Sequence, residues 1–391
     1  PVVASAQINT DRVMAIGRNA LYFEDYVLSI QYFNQVINAK PYLSDPYFYR
    51  GLAKINLDDF QGAESDCSEA IERNPFVVSA YQVRGLARIQ QNNFAGAIED
   101  YTKALEFDPE NIGVWHNMAL CRIRQEDYKG AKNDLDKLIA ISPRYTKAYL
   151  MRGEVDLKQK DTLAAEKDFG KAIEIDRYDA DTWASRAILR LQQQRYKDAE
   201  ADFDHAIRLS TRNSGVYINR ALARYHQNNL RGAMSDYDIA LDIDPNNFIG
   251  HYNRGLLRAQ VGDDNRAIQD FNFVIEMEPD NMMAIFNRGL LLDQTGDYKG
   301  AIKDYSTVIN EYPNFLLGYQ YRAQARRKIG DVKGADADEF KVLKAQLDKQ
   351  NGVDPNKQTA DNTENNKTRK KSDKNMNNYR KIVVADNEEG E

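Results

Sequence analysis

A small residue recurs at a fixed 34-residue step along this chain without one insertion: Gly17, Gly51, Gly85, Ala119, Gly153, Ala187, Ala221, Gly255, Gly289 and Ala323. A period held that strictly restricts the chain to a stack of near-identical supersecondary units, each contacting its neighbours. Twelve positions after each member lies a second small column: Ser29, Ala63, Ala97, Ala131, Ala165, Ala199, Ala233, Ala267, Ala301 and Ala335. Helices that cross at short distance tolerate only Gly, Ala or Ser at the crossing. Each unit is therefore expected to be a hairpin of two helices touching at these columns.

Between the two columns a polar turn ends at Asp25, Asp59, Asn93, Asp127, Asp161, Arg195, Asn229, Asp263, Asp297 and Asp331. Asp and Asn cap the free amides of a helix's first turn, which starts the second helix directly after them. Pro41, Pro75, Pro109, Pro143, Pro245, Pro279 and Pro313 close that helix, because proline cannot continue it. Two joints carry Arg177 and Thr211 instead and are expected to be softer. Tyr47, Tyr81, Trp115, Tyr149, Trp183, Tyr217 and Tyr319 fill the front of the first helix, as wedges between units.

An arginine directly precedes the small residue in most units: Arg50, Arg84, Arg152, Arg186, Arg220, Arg254, Arg288 and Arg322. On the second helix an acidic column answers it: Asp66, Asp100, Asp134, Asp168, Asp202, Asp236, Asp270, Asp304 and Asp338. The unit with Tyr32 in place of the aspartate also lacks the arginine and has Ile16, so the two columns are expected to pair. Met118 leaves Asp134 as the one rung without its base. A guanidinium with a carboxylate at hand is read as structural.

These columns resemble the tetratricopeptide-repeat (TPR) family, whose pattern is an aromatic, a small residue four later, a bulky residue at the turn, two alanines and a closing proline. The resemblance covers residues 10–349. It implies an all-α, right-handed α-solenoid of ten TPR helical hairpins starting near residues 10, 44, 78, 112, 146, 180, 214, 248, 282 and 316. It also implies that the first helices line a concave groove taking an extended peptide or a partner helix. Departures are local: the turn aromatic of Phe60, Phe94, Tyr128, Tyr196 and Tyr298 is lost at Thr162 and Asp264. The family's Lys and Arg clamp for a terminal carboxylate is not carried, since Leu52, Leu86, Leu120, Leu222, Leu256 and Leu290 hold that column.

The candidate ligand-binding residues lie two positions before the small column, at Asn117, Asn219, Asn253 and Asn287. A carboxamide carries one acceptor and two donors, so a row of them matches a peptide's N–H and C=O without demanding a sequence. Ile218, Tyr252 and Phe286 precede three of these asparagines, and His226, Gln260 and Gln294 follow seven residues on, at spacings that leave them on or near one helical face. Ile249, Met283 and Leu317 recur near the mouth of the first helix. An apolar stripe beside polar anchors distinguishes a groove from a solvated wall.

The remaining composition narrows the function classes. A formal net charge of −6 repels a phosphate backbone or an anionic surface, and no nucleic acid is expected. No apolar run is long enough to span a bilayer. Cys67 and Cys121 form no metal-ligand spacing, and His116, His205, His226 and His251 are scattered. No nucleophile grouping, phosphate loop or metal motif is present, so neither catalysis nor a cofactor is expected. Pro1-Val2-Val3-Ala4-Ser5-Ala6-Gln7 reads as a signal-peptide remnant cleaved after Ala6, making residues 1–9 a lead-in and the protein an exported one, periplasmic or at the surface of a bacterium.

From residue 350 to 391 the chain turns polar and is expected to be disordered, apart from the β-prone Tyr379–Ala385 run, which can add a strand to a partner's sheet edge. The function expected is a non-catalytic scaffold for a protein or peptide ligand in the cell envelope. The alternative is the targeting module of a larger enzyme or secretion component.

Overall fold

The computed structural model describes residues 9–209, 212–352, 376–383 and 385. Of the lead-in expected over residues 1–9, residues 1–8 lie outside those described, as does most of the polar tail. Among the described residues the chain forms twenty α-helices and one 3-10 turn, with no strand.

They fall into two compact units, residues 1–178 and 179–391. The division lies beside Arg177, one of the two joints without proline; the other, Thr211, is outside the described residues.

In the first unit α1 (Thr10–Tyr22) pairs with α2 (Tyr26–Ala39), α3 (Asp45–Ile55) with α4 (Phe60–Arg73), and α5 (Val78–Gln90) with α6 (Phe94–Phe107). It is completed by α7 (Ile112–Arg124) with α8 (Tyr128–Ile141) and α9 (Thr146–Lys158) with α10 (Thr162–Ile175). The second unit pairs α11 (Ala180–Gln192) with α12 (Tyr196–Arg208), α13 (Ser214–His226) with α14 (Leu230–Ile243), and α15 (Phe248–Gln260) with α16 (Asp264–Met277). There follow α17 (Met282–Thr295) with α18 (Tyr298–Glu311) and α19 (Leu316–Lys328) with α20 (Val332–Gln350).

The capping column does what its chemistry requires. The carboxylate or amide oxygens of Asp25, Asp59, Asn93, Asp127, Asp161, Asn229, Asp297 and Asp331 accept the N–H three residues on. Asp263 makes no such side-chain bond, and neither does Arg195. Just before each cap the turn needs a left-handed residue, which is glycine at Gly262, Gly296 and Gly330. Seven earlier units put Glu24, Asp58, Asn92, Glu126, Lys160, Gln194 or Asn228 there, at φ near 60°, a conformation that costs a non-glycine residue about 1 kcal/mol.

At the small column of the first helix the close approach is to a side chain of the second helix rather than to its backbone, which corrects the expectation above. A Cβ on Gly153 would stand 2.6 Å from the Phe169 ring, and one on Gly85 2.8 Å from the Tyr101 ring. Gly17, Gly255 and Gly289 face Phe33, Phe271 and Tyr305 in the same way, while Gly51 faces the Cys67 sulfur. The hairpin is thus a ring laid on a bare helix turn.

The charged columns form the ladder their spacing predicts. In eight hairpins Nε and Nη2 of the arginine grip the carboxylate sixteen residues on, at 2.6–3.1 Å. In seven of them Nη1 also reaches the second helix of the preceding hairpin, donating to Asn34, Ser68, Asp136, Asp204, Asp238, Asn272 or Ser306 at 2.7–3.1 Å. One guanidinium therefore ties three helices and fixes hairpin to hairpin. Six of these guanidinium groups lie 5.2–5.7 Å from the centre of the aromatic ring three residues earlier, from Tyr47 to Tyr319.

The rung at Asp134 departs from this pattern. Met118 stands where the arginine would be, and the buried carboxylate has Arg122 as its cationic partner. Burial outweighs that one partner and raises the Asp134 carboxyl to about 6. At Asp270, by contrast, burial opposes but His251, Arg254 and Arg258 prevail, and the carboxyl is held below its ordinary range.

A carboxyl raised in the folded state binds a proton that the unfolded chain has already lost, so Asp134 costs stability progressively as pH climbs from about 4 to 6. Met118→Arg should restore the rung and remove that cost. Chemical denaturation is expected to show the variant gaining on the wild type as pH rises through this window, reaching about 1 to 3 kcal/mol by pH 7. A pH-independent difference would show that Asp134 is not the group responsible.

Candidate peptide-binding groove

Helices α13, α15 and α17 are the first helices of three successive hairpins, and their 34-residue register places Asn219, Asn253 and Asn287 at equivalent positions. All three side chains are buried. Against them lies the chain's own C-terminal segment, described at residues 376–383 and 385.

The Asn219 amide group donates to the Ala385 carbonyl and accepts the Ala385 N–H, both at 2.9 Å. Asn253 does the same to Val383, at 2.7 and 2.9 Å. Asn287 donates to the Tyr379 carbonyl at 2.6 Å, and the Tyr252 hydroxyl donates to the same oxygen at 2.7 Å. Burial raises the Tyr252 phenol far above its ordinary value, so it stays a donor. The segment runs from α17 towards α13, opposite to the order of the hairpins.

Side chains fill the spaces between these main-chain bonds. Tyr379 stands edge-on to Phe286, with ring centres 4.8 Å apart, and joins Met376 in a buried cluster with Phe315 and Tyr305. Ile382 packs against the cluster around Leu191, Phe203 and Leu222. Ala385 lies buried among Ile218, Ala221, Tyr237 and Leu257. Arg380, Lys381 and Val383 are exposed.

The expected site residues divide accordingly. Asn219, Asn253, Asn287, Ile218, Tyr252 and Phe286 come together around the segment; Ile218 and Phe286 are at once core and groove floor. Ile249, Met283 and Leu317 are half-buried against the same clusters. Asn117 is in the first unit, where it donates to the Tyr101 hydroxyl at 3.4 Å. His226 is exposed and stacks on Tyr196, Gln260 accepts from the Tyr225 hydroxyl, and Gln294 is exposed. None of those three bonds the segment.

Within this chain the described part of the Tyr379–Ala385 run forms no strand, and its main chain at Tyr379, Val383 and Ala385 is met by asparagine side chains on helices. Nor is the whole of 350–391 a solvated tail: α20 continues to Gln350, and Met376, Tyr379 and Ala385 are buried. For residues 353–375 and 386–391 that expectation lies outside the described residues.

Other reactive side chains are engaged or closed off. Burial pushes the Cys67 and Cys121 thiols up to about 12 and about 11, away from thiolate chemistry. His251 sits between Asp270 and the Pro245 carbonyl, and His205 stacks on Trp183. No trio of His, Cys, Asp or Glu among the described residues is placed to hold a metal ion. No described helix is long and apolar enough to cross a membrane.

Family models described as TPR repeat and tetratricopeptide repeat match residues 85–121, 112–145, 146–179, 185–248 and 252–314, together more than half of the chain. The chain belongs to the tetratricopeptide-repeat family. Among solved structures, this TPR chain is similar to a tetratricopeptide-repeat protein from Parabacteroides merdae, with 21% identity and TM-score 0.50 over 64% of this chain and 98% of that one. It is also similar to the C-terminal part of a TPR protein from Cytophaga hutchinsonii, at 18% identity and TM-score 0.49, covering 59% and 95%. A third similar structure is Pseudomonas aeruginosa pilF, at 20% identity and TM-score 0.45, covering 52% and 92%. No curated protein matches the TPR chain.

The paired hydrogen bonds make a direct expectation. Amide exchange at Val383 and Ala385 should be slow in the wild type, and Asn253→Ala should speed exchange at Val383 by about 3- to 10-fold, the loss of one net hydrogen bond. Unchanged exchange in a hydrogen-exchange NMR measurement would show that the segment is not held by this asparagine.

Proposed function

We propose that this TPR protein is a non-catalytic scaffold whose α13, α15 and α17 groove holds an extended segment of a partner protein by its main chain. The observation that carries the reading is the paired bonding of Asn219 and Asn253 to both the N–H and C=O of alternate residues. A carboxamide presenting one donor and one acceptor in this way replaces the water that an extended backbone would otherwise bond, whatever its side chains. Such a site secures a partner's backbone and leaves selectivity to the flanking pockets.

The scaffold is proposed to work in a bacterial cell envelope, on the strength of the Ala4-Ser5-Ala6 pattern. N-terminal sequencing of the protein isolated from its host is expected to begin at Gln7. A host protein that retains the residues before Gln7 would remove the basis for that location.

Binding is tested with Asn219→Ala, Asn253→Ala and Asn287→Ala combined. Each lost bond is worth about 0.5 to 1.5 kcal/mol, so the triple variant should bind on the order of 10- to 1,000-fold more weakly. Alanine favours the helix, and folding should be nearly intact by circular dichroism. In affinity capture from host extract, a partner held by the wild type and by a Lys171→Ala, Lys303→Ala control should be lost from the triple variant. Equal capture by all three would move the site elsewhere.

A further inference from the structure

We infer that residues 376–385 are a resident stand-in for the external ligand: the groove takes segments that turn at an aromatic residue and then run extended, with a branched aliphatic four positions after the ring and a small residue two beyond that, and such a partner binds by displacing the chain's own copy. The inference rests on the scaffold reading above and adds the sequence class, direction and competitor.

The pattern follows from what each groove position can accept. Tyr379 is buried edge-on to Phe286 while its carbonyl takes two hydrogen bonds, so the first position needs a flat ring. Ala385 is 3% exposed and enclosed by Ile218, Tyr237 and Leu257, with its own main chain held on both sides by Asn219. A longer side chain has no room there. Val383 is held by its main chain with its side chain partly in solvent, which suits a β-branched residue that is extended by preference. Direction is set by the spacing, because Tyr379 meets α17 and Ala385 meets α13.

The seated segment also has the marks of a replaceable occupant. Its only regular element among the described residues is the single 3-10 turn Met376–Asn378, Arg380 and Lys381 face solvent, and residues 353–375 separate it from α20. A buried group beside it is unsatisfied. In the α5–α8 hairpins Asn117 donates to the Tyr101 hydroxyl sixteen residues before it. Asn253 and Tyr237 hold the same two columns, yet Asn253 is committed to Val383, and the buried Tyr237 hydroxyl has no partner among the described residues. A docked segment that diverts this asparagine is held less firmly than its hydrogen bonds alone suggest.

The test uses the full chain and a fluorescent synthetic peptide of residues 376–385. A tethered segment competes at an effective concentration on the order of millimolar. The peptide should therefore bind a Tyr379→Ala, Ala385→Arg full-length variant at least about tenfold more tightly than the wild type. The same peptide with its tyrosine changed to alanine, its last alanine changed to arginine, or its order reversed should lose at least about tenfold on that variant. The variant should keep its thermal transition close to that of the wild type.

Equal affinity for wild type and variant would overturn the inference, as would a large loss of stability in the variant, which would make the segment part of the fold. Failure of the peptide to bind the variant, with asparagine-dependent capture from extract intact, would overturn the sequence class and leave the scaffold reading standing. Loss of both would overturn the two together.

Discussion

The half-buried guanidinium of the ladder, paired with a buried carboxylate, is the contact on which the rest of the architecture depends. Arg220 illustrates it: Nε and Nη2 hold Asp236 on its own hairpin, and Nη1 holds Asp204 on the one before. Paired, satisfied and planar, the group fixes the rotation and height of one hairpin against the next. An ion pair in this position is not a cheap source of stability, because desolvation opposes it. Its effect is geometric: three asparagines thirty-four residues apart arrive at equivalent points along one groove, within reach of a single extended backbone.

That regularity explains why main-chain recognition is available here. A strand in water must bond its N–H and C=O to something, and a helical surface normally offers nothing at the right spacing. Repeating a carboxamide at one position per hairpin supplies it, with Asn219 serving Ala385 and Asn253 serving Val383. The tyrosine hydroxyl at 252 closes the row beside Asn287, where a carbonyl receives two donors.

Much of this was legible in the residues. The 34-residue step, the capping aspartates and the paired charge columns each follow from one chemical requirement, and the structure places them as their spacing demands. The asparagine column was legible for the same reason, as were Ile218, Tyr252 and Phe286 beside it. Other features were hidden because their chemistry is mixed or their context misleading. The acceptor for each Nη1 is Asn, Ser or Asp by turns, so no column announces the tie to the preceding hairpin. The left-handed turn residue is glycine in three hairpins and seven other residues elsewhere, which hides a uniform backbone. His226 and Gln260 share the spacing of the groove but are taken up by Tyr196 and Tyr225. The groove's occupant was concealed by its neighbours, since a polar, charged tail dilutes the few residues of 376–385 that are buried.

The central claim is that asparagine side chains on helices read the main chain of an extended segment, and replacing single amide N–H groups by ester oxygens tests it most directly. In a synthetic 376–385 peptide bound to the full chain carrying Tyr379→Ala and Ala385→Arg, an ester at Val383 removes the donor that Asn253 accepts. An ester at Ile382 removes one that no asparagine meets. Isothermal titration should show the Val383 ester weakened by about 3- to 10-fold relative to the Ile382 ester, and Asn253→Ala should erase that difference. Equal affinities for the two esters, or a difference that survives Asn253→Ala, would contradict the account.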